Sequence, residues 1–152
     1  AAHPRLAGMV MGTNDLAKEL NCRFRADRLP LLTSLQLCLL ASRAEGKVIV
    51  DGVYNAFKDE EGLRQECEQG RDMGFDGKTL IHPAQLAIAN AVFAPSDAEL
   101  DLARRHIAAF DAAEAAGQGV AVVDGKIVEK LHVVTAKALL AKAEAIAALN
   151  NT

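Results

Sequence analysis

A chain of 152 residues, 51% of them hydrophobic and 24% charged, has the composition of an ordinary soluble globular domain and excludes fibrous, disordered and low-complexity classes. A net charge of −3 offers no basic field to a phosphate backbone, and no Lys/Arg cluster alternates with aromatic residues, so nucleic acid is not an expected partner. No apolar run reaches the roughly 20 residues that span a bilayer, and the N-terminus lacks a charged stretch followed by an apolar one. No membrane association is expected, and the expected location is the cytoplasm, with an organelle matrix as the alternative. Cys22, Cys38 and Cys67 are odd in number, form no Cys-x-x-Cys pair and have no histidine at metal-ligand spacing, which fits a reducing compartment. Cys38, inside the apolar helical run 35–41, reads as core packing.

In chain order, three short apolar runs lie at residues 7–11, at 48–50 with Lys47 leading in, and at 79–81. None alternates polar with apolar, which predicts strands buried on both faces, as in a parallel sheet. Each run gives way to a turn-forming cluster: Gly12-Thr13-Asn14-Asp15, then Asp51-Gly52, then His82-Pro83. Helices are predicted over 30–44 and 60–73, the second capped by Gly74, and a further helix is expected to begin near Leu16. The β-α-β-α-β order places the segments after each strand together at the carboxyl edge of the sheet, where polar chemistry concentrates in such folds.

After the third strand the pattern changes. Residues 83–93 are apolar and helical, and Ala94-Pro95 breaks the run. Ser96-Asp97-Ala98-Glu99 reads as a capping box that opens a helix to about residue 116, with Gly117 closing it. Asp124-Gly125 between residues 119–123 and 127–133 is a two-residue hairpin signal, and 135–149 is an Ala- and Leu-rich final helix. The division expected is a barrel-type part over 1–95 and a small helix-hairpin-helix part over 96–152. Three parallel strands cannot close a barrel, and an open three-stranded sheet leaves long edges, so the chain is read as part of a longer polypeptide.

Gly12-Thr13-Asn14-Asp15-Leu16-Ala17, Asp51-Gly52-Val53-Tyr54, Glu61-Gly62-Leu63, Met73-Gly74-Phe75-Asp76-Gly77-Lys78 and Ile81-His82-Pro83-Ala84-Gln85 occur in that order. With Phe93-Ala94-Pro95-Ser96 and Gly125-Lys126-Ile127-Val128-Glu129, this set resembles the citrate lyase beta-subunit and malyl-CoA lyase family of the HpcH/HpaI aldolase superfamily. The resemblance implies an α/β fold, a TIM (β/α)₈ barrel of which the three strands are the sixth to eighth, with a C-terminal lid. It also implies a homotrimer or hexamer in which the lid serves a neighbouring subunit, and a CoA thioester and a small 2-oxo acid as partners. About half of such an enzyme, including five strands, would lie outside the chain.

By the same resemblance Asp15 is a ligand of Mg²⁺, its partner Glu lying upstream of Ala1; hard oxygen donors suit that ion. The residue pattern alone also allows Asp15 as a helix cap. Gly12, Thr13 and Asn14 are candidate substrate-binding residues whose backbone N–H groups face a substrate carboxylate, or else a simple tight turn. Asp51 and His82 are assigned to the mouth as substrate-binding candidates, with loop anchoring as the other reading of each. Lys78 is expected at the strand entrance, on the opposite edge, in a structural role. Glu129 matches the place of an acidic lid residue, commonly Asp in the family, that acts as acid or base; a solvated surface charge is the alternative. Asp124 is explained by the hairpin turn.

The reaction this implies is Mg²⁺-dependent carbon–carbon cleavage or formation of a 3-hydroxy-acyl-CoA. Malyl-CoA would give glyoxylate and acetyl-CoA; citramalyl-CoA would give pyruvate and acetyl-CoA. A citrate lyase beta subunit is the neighbouring alternative, and a catalytically silent CoA-binding or assembly module the alternative of another class.

Overall fold

A computed structural model describes residues 1–150. The chain divides into two units, Ala1–Phe93 and Ala94–Thr152.

The first unit begins with β1 (Gly8–Val10), α1 (Thr13–Glu19), α2 (Leu32–Ala44) and β2 (Val48–Asp51), followed by α3 (Glu60–Met73) and β3 (Gly77–Lys78). A 3-10 turn at Pro83–Gln85 then leads into α4 (Leu86–Phe93). The sheet is parallel in the order β1-β2-β3, with Met9 opposite Ile49, Val10 opposite Val50, and Asp51 opposite Lys78.

Burial along the strands separates the two faces of this sheet. Ile49 and Asp51, two apart and therefore on one face, are wholly buried, while Val48 is 52% and Val10 64% exposed on the other. α2 packs on β2 and α3 on β3, so within this unit the helices cover the face of Ile49 and Asp51. Val10 and Val48 thus stand on a face that is open within this unit, where the apolar runs imply strands covered on both faces. The covered face carries a core of Met11, Ala17, Leu31, Leu35, Leu39, Ile49 and Phe75, and full burial of a side chain such as Leu35 contributes roughly 1.5–3 kcal/mol. A second cluster, Leu63, Cys67, Ala89 and Val92, joins α3 to α4.

The helix ends follow local chemistry. Asp59 caps α3 by accepting from the Gly62 N–H at 2.9 Å, and Gly74 ends it at φ 108°, where a side chain would be strained. α1 starts at Thr13, three residues before the predicted start, with Gly12 as its N-cap and no side-chain cap. The third strand is Gly77–Lys78, ahead of the predicted residues 79–81.

In the second unit α5 (Asp97–Ala115) opens on the capping box, with Ser96 accepting from the Glu99 N–H and the Glu99 carboxylate accepting from the Ser96 N–H at 2.8 Å. β4 (Ala121–Val123) and β5 (Lys126–Val128) form the antiparallel hairpin, with Asp124 and Gly125 both at positive φ. α6 (Lys130–Asn150) starts five residues earlier than its apolar pattern implied. Phe110, Ala113, Ala121, Val123, Val128 and Val133 make its core. One guanidinium ties the turn to α5: Arg105 Nη1 donates to both Asp124 oxygens at 2.8 Å, and its Nε donates to Asp101 at 2.9 Å.

Candidate active site

The loops that follow β1, β2 and β3 meet at the carboxyl edge of the sheet. Asp15 lies in the first turn of α1, exposed, and its carboxylate has no protein partner among the described residues. The helix-cap reading is excluded by that geometry. One oxygen stands 3.7 Å from the point where a side chain on Gly12 would begin, so the carboxylate lies over an open stretch of backbone. A free, exposed carboxylate is the donor that Mg²⁺ accepts, with water and substrate oxygens completing its shell. No group of three or more His, Cys, Asp or Glu residues suited to a metal occurs among the described residues, so Asp15 offers one ligand rather than a cage.

The neighbouring residues are held from the second loop. Thr13 is buried, and Gly52 abuts it so closely that a Cβ there would lie 2.3 Å from the Thr13 hydroxyl oxygen. Asn14 and Asn55 form a reciprocal amide pair, with Asn14 Nδ2 donating to Asn55 Oδ1 at 3.1 Å and Asn55 Nδ2 donating to Asn14 Oδ1 at 2.7 Å. The third loop is tied in by Gln85, which is buried. Its Nε2 donates to the Tyr54 carbonyl at 2.9 Å and its Oε1 accepts from the Ile81 N–H at 3.0 Å.

Asp51 requires a correction. It does not face an opening: it lies on the helix-covered face, wholly buried, with Oδ2 bonded to Arg28 Nη1 at 2.6 Å and Lys78 Nζ at 3.3 Å. Oδ1 accepts from the Gly52 N–H at 2.8 Å. With both oxygens engaged it anchors the second loop and leaves no position for a substrate. Lys78 is likewise not at the strand entrance. It pairs in register with the last residue of β2, and its buried ammonium bridges Asp51 and Glu66, the latter at 2.5 Å. Arg28, buried and at φ 53°, also donates to Gln69 Oε1 at 2.6 Å. Two cations thus face two anions, and no buried side-chain polar atom is left without a partner among the described residues.

His82 is exposed, stacks on Phe57 at 4.7 Å between ring centroids, and accepts from the Ala84 N–H through Nδ1 at 3.2 Å. Its Nε2 edge is the one left for a ligand. Glu129, in the second unit, is exposed and immediately precedes α6, its N–H donating to His132 Nδ1 at 2.9 Å.

Between the α1–α2 connection and the loop after β2 opens a cleft of about 410 Å³, lined among others by Thr13, Arg23, Phe24, Leu31, Tyr54 and Asn55. Arg23 carries no partner among the described residues, whereas Arg25 is taken up by Asp27 at 2.6 Å. The Tyr54 hydroxyl donates to Asp59 at 2.7 Å. Burial, and then that acidic partner, push its phenol up to about 12. It is a fixed donor rather than a base. Arg28, Glu66 and the cleft residues Arg23 and Phe24 were not singled out in the sequence. A charged residue ending a buried strand was the available signal, since a buried carboxylate needs cations.

The parallel sheet with an exposed, unpartnered carboxylate beyond its first strand fits what the comparisons show: the chain belongs to the HpcH/HpaI aldolase/citrate lyase family, which residues 1–83 match. It is 78% identical over 148 residues to a (3S)-malyl-CoA thioesterase of Cereibacter sphaeroides strain ATCC 17023, covering 97% of this chain and 52% of that protein. It is 40% identical over 108 residues to an L-malyl-CoA/beta-methylmalyl-CoA lyase of Cereibacter sphaeroides strain ATCC 17029, covering 71% of this chain and 34% of that protein. Among solved structures, protein CitE of Mycobacterium tuberculosis in complex with magnesium, acetoacetate and coenzyme A superposes with a TM-score of 0.76. That match has 30% identity and covers 94% of this chain and 54% of the other. The chain spans about half the length of the curated (3S)-malyl-CoA thioesterases it matches.

Proposed function

We propose that this chain supplies part of the active site of a Mg²⁺-dependent enzyme acting on a malyl-type CoA thioester, and that its reaction is hydrolysis of the thioester. The observation that carries this reading is the 78% identity, across 97% of the chain, to a (3S)-malyl-CoA thioesterase. The free carboxylate of Asp15 is in keeping with it, as is a fold like that of a relative crystallised with magnesium and coenzyme A.

In this reading Asp15 holds the metal together with a carboxylate from outside the chain. Bound there, Mg²⁺ would supply Lewis-acid stabilisation of charge developing on a substrate oxygen. Gly12 leaves the backbone open for a substrate carboxylate, Thr13 and Asn14 fix the loop, and His82 presents its free ring edge to the substrate. Glu129 serves as the acid or base, delivered to a neighbouring subunit in a homotrimer or hexamer. The three strands are the sixth to eighth of a TIM barrel, and the second unit is the lid. In hydrolysis one water adds across the C–S bond, releasing malate and free CoA thiol.

The second reading, carbon–carbon cleavage, is favoured by the 40% identity to a malyl-CoA lyase. One assay separates them. The whole protein, given malyl-CoA and Mg²⁺, is expected to release free thiol with no glyoxylate. Glyoxylate and acetyl-CoA without free thiol would establish the lyase instead, and neither product would leave a silent module.

A further inference from the structure

The exposed Asn14–Asn55 pair is not a stability device in the ordinary sense, since both amides stand in water that competes for the same hydrogen bonds. Its placement gives it another use. Asn14 immediately precedes Asp15, a carboxylate that nothing in the described protein restrains directly. Asn55 lies 41 residues away, in a loop rooted through Gly52 on the saturated Asp51 carboxylate. The same loop is fixed at Tyr54 by Gln85 and touches Thr13 through Gly52. The loop after β1 is therefore clasped at Thr13 and Asn14, the two residues before Asp15, by a loop whose own root is buried. A reciprocal amide pair sets distance and orientation together, which a single hydrogen bond does not.

We infer that Asn55 is a positioning residue for the metal-binding carboxylate, presetting Asp15 through its paired amide with Asn14. The inference rests on the reading of Asp15 as a metal ligand. A carboxylate held in place before the ion arrives loses less freedom on binding it, so the effect falls on metal affinity.

The test is equilibrium Mn²⁺ binding to the whole protein, read from the free-ion paramagnetic resonance signal, for wild type, Asn14→Ala, Asn55→Ala, the double variant and Asp15→Asn. Asn55→Ala is expected to weaken Mn²⁺ binding by about two- to tenfold, the worth of one net hydrogen bond. The double variant should bind no more weakly than the weaker single one, because the two side chains act as a unit. Both residues are exposed, so cooperative thermal unfolding is retained, and a purely structural role would move the melting temperature and leave metal affinity alone. Wild-type Mn²⁺ binding by Asn55→Ala, or effects that multiply in the double variant, would overturn the inference while loss of binding in Asp15→Asn upheld the metal site. Undiminished binding by Asp15→Asn would remove the metal reading itself, and the positioning role with it.

Discussion

At the scale of single residues, the decisive contrast is between two aspartates at the same edge of the sheet. Asp51 has lost all its water and gained Arg28, Lys78 and the Gly52 N–H; Asp15 has kept its water and gained no protein partner. Asp51→Ala would strand two buried cations beside Glu66 alone and is expected to cost about 3–5 kcal/mol in urea unfolding. Asp15→Asn should leave the urea midpoint where it is while abolishing Mg²⁺-dependent turnover of the whole protein. Retained turnover in that variant would remove Asp15 from the metal site. The sequence placed both acids beyond apolar strand runs, and in the structure Asp51 is the last residue of β2 and Asp15 lies in the first turn of α1. It could not say which face of β2 the Asp51 side chain takes, because that depends on register: one residue's difference exchanges the covered face for the open one. Lys78 was misplaced for the same reason, its strand beginning two residues ahead of the apolar run that suggested it. Cys67, wholly buried, has its thiol pushed up chiefly by burial. Iodoacetamide is expected to reach it only after unfolding, and to label the half-buried Cys22 and Cys38 first.

Among the elements, α3 shows how a helix end can be tied to a site. Asp59 accepts from the Gly62 N–H and, second in weight, from the Tyr54 hydroxyl, and both hold its carboxyl below the usual range. A depressed carboxyl contributes stability above its unfolded value and loses that contribution as pH falls through the folded one; a raised phenol contributes below about pH 10 and loses its contribution as pH rises through about 12. The advantage of wild type over Asp59→Ala in thermal unfolding should therefore be full near neutrality and disappear in acid; an advantage unchanged below about pH 3 would contradict the assignment. Gly52 makes a sharper demand, since any side chain there meets Thr13 and the Met11 carbonyl. Gly52→Ala is expected to cost roughly 1–3 kcal/mol by overpacking, read from the urea midpoint. Elements with end signals were legible: α3 is found over the residues its Gly74 cap implied, and α5 opens on its capping box. α1 was placed late because its first turn is polar, and α6 because Leu131 and Val133 of its first turn extend the apolar run 127–133 read as a hairpin strand, which ends at Val128.

For the chain as a whole, the consequential fact lies in the first unit, whose parallel sheet has an open face and ends in two edge strands, β1 and β3. Val10 and Val48 sit there in contact with solvent, an arrangement that invites pairing or apolar association. The 152-residue chain expressed by itself is expected to sediment as an associated species. A well-behaved monomer at micromolar concentration would show that the open face tolerates water. The parallel order of the strands was legible because each is followed by a turn cluster and a helix. Which face would lie open was not, since buried apolar runs look alike whether one face or both are covered.

The setting of Tyr54 has an optical consequence. It is the sole tyrosine, and the chain has no tryptophan, so all the intrinsic ultraviolet emission characteristic of those residues comes from one ring lining the cleft. Its hydroxyl is bonded to a carboxylate, a neighbour able to accept the excited-state proton and dim the emission. Occupation of the cleft, or melting of the Asp59 cap, would therefore brighten or darken the chain without any label having been attached.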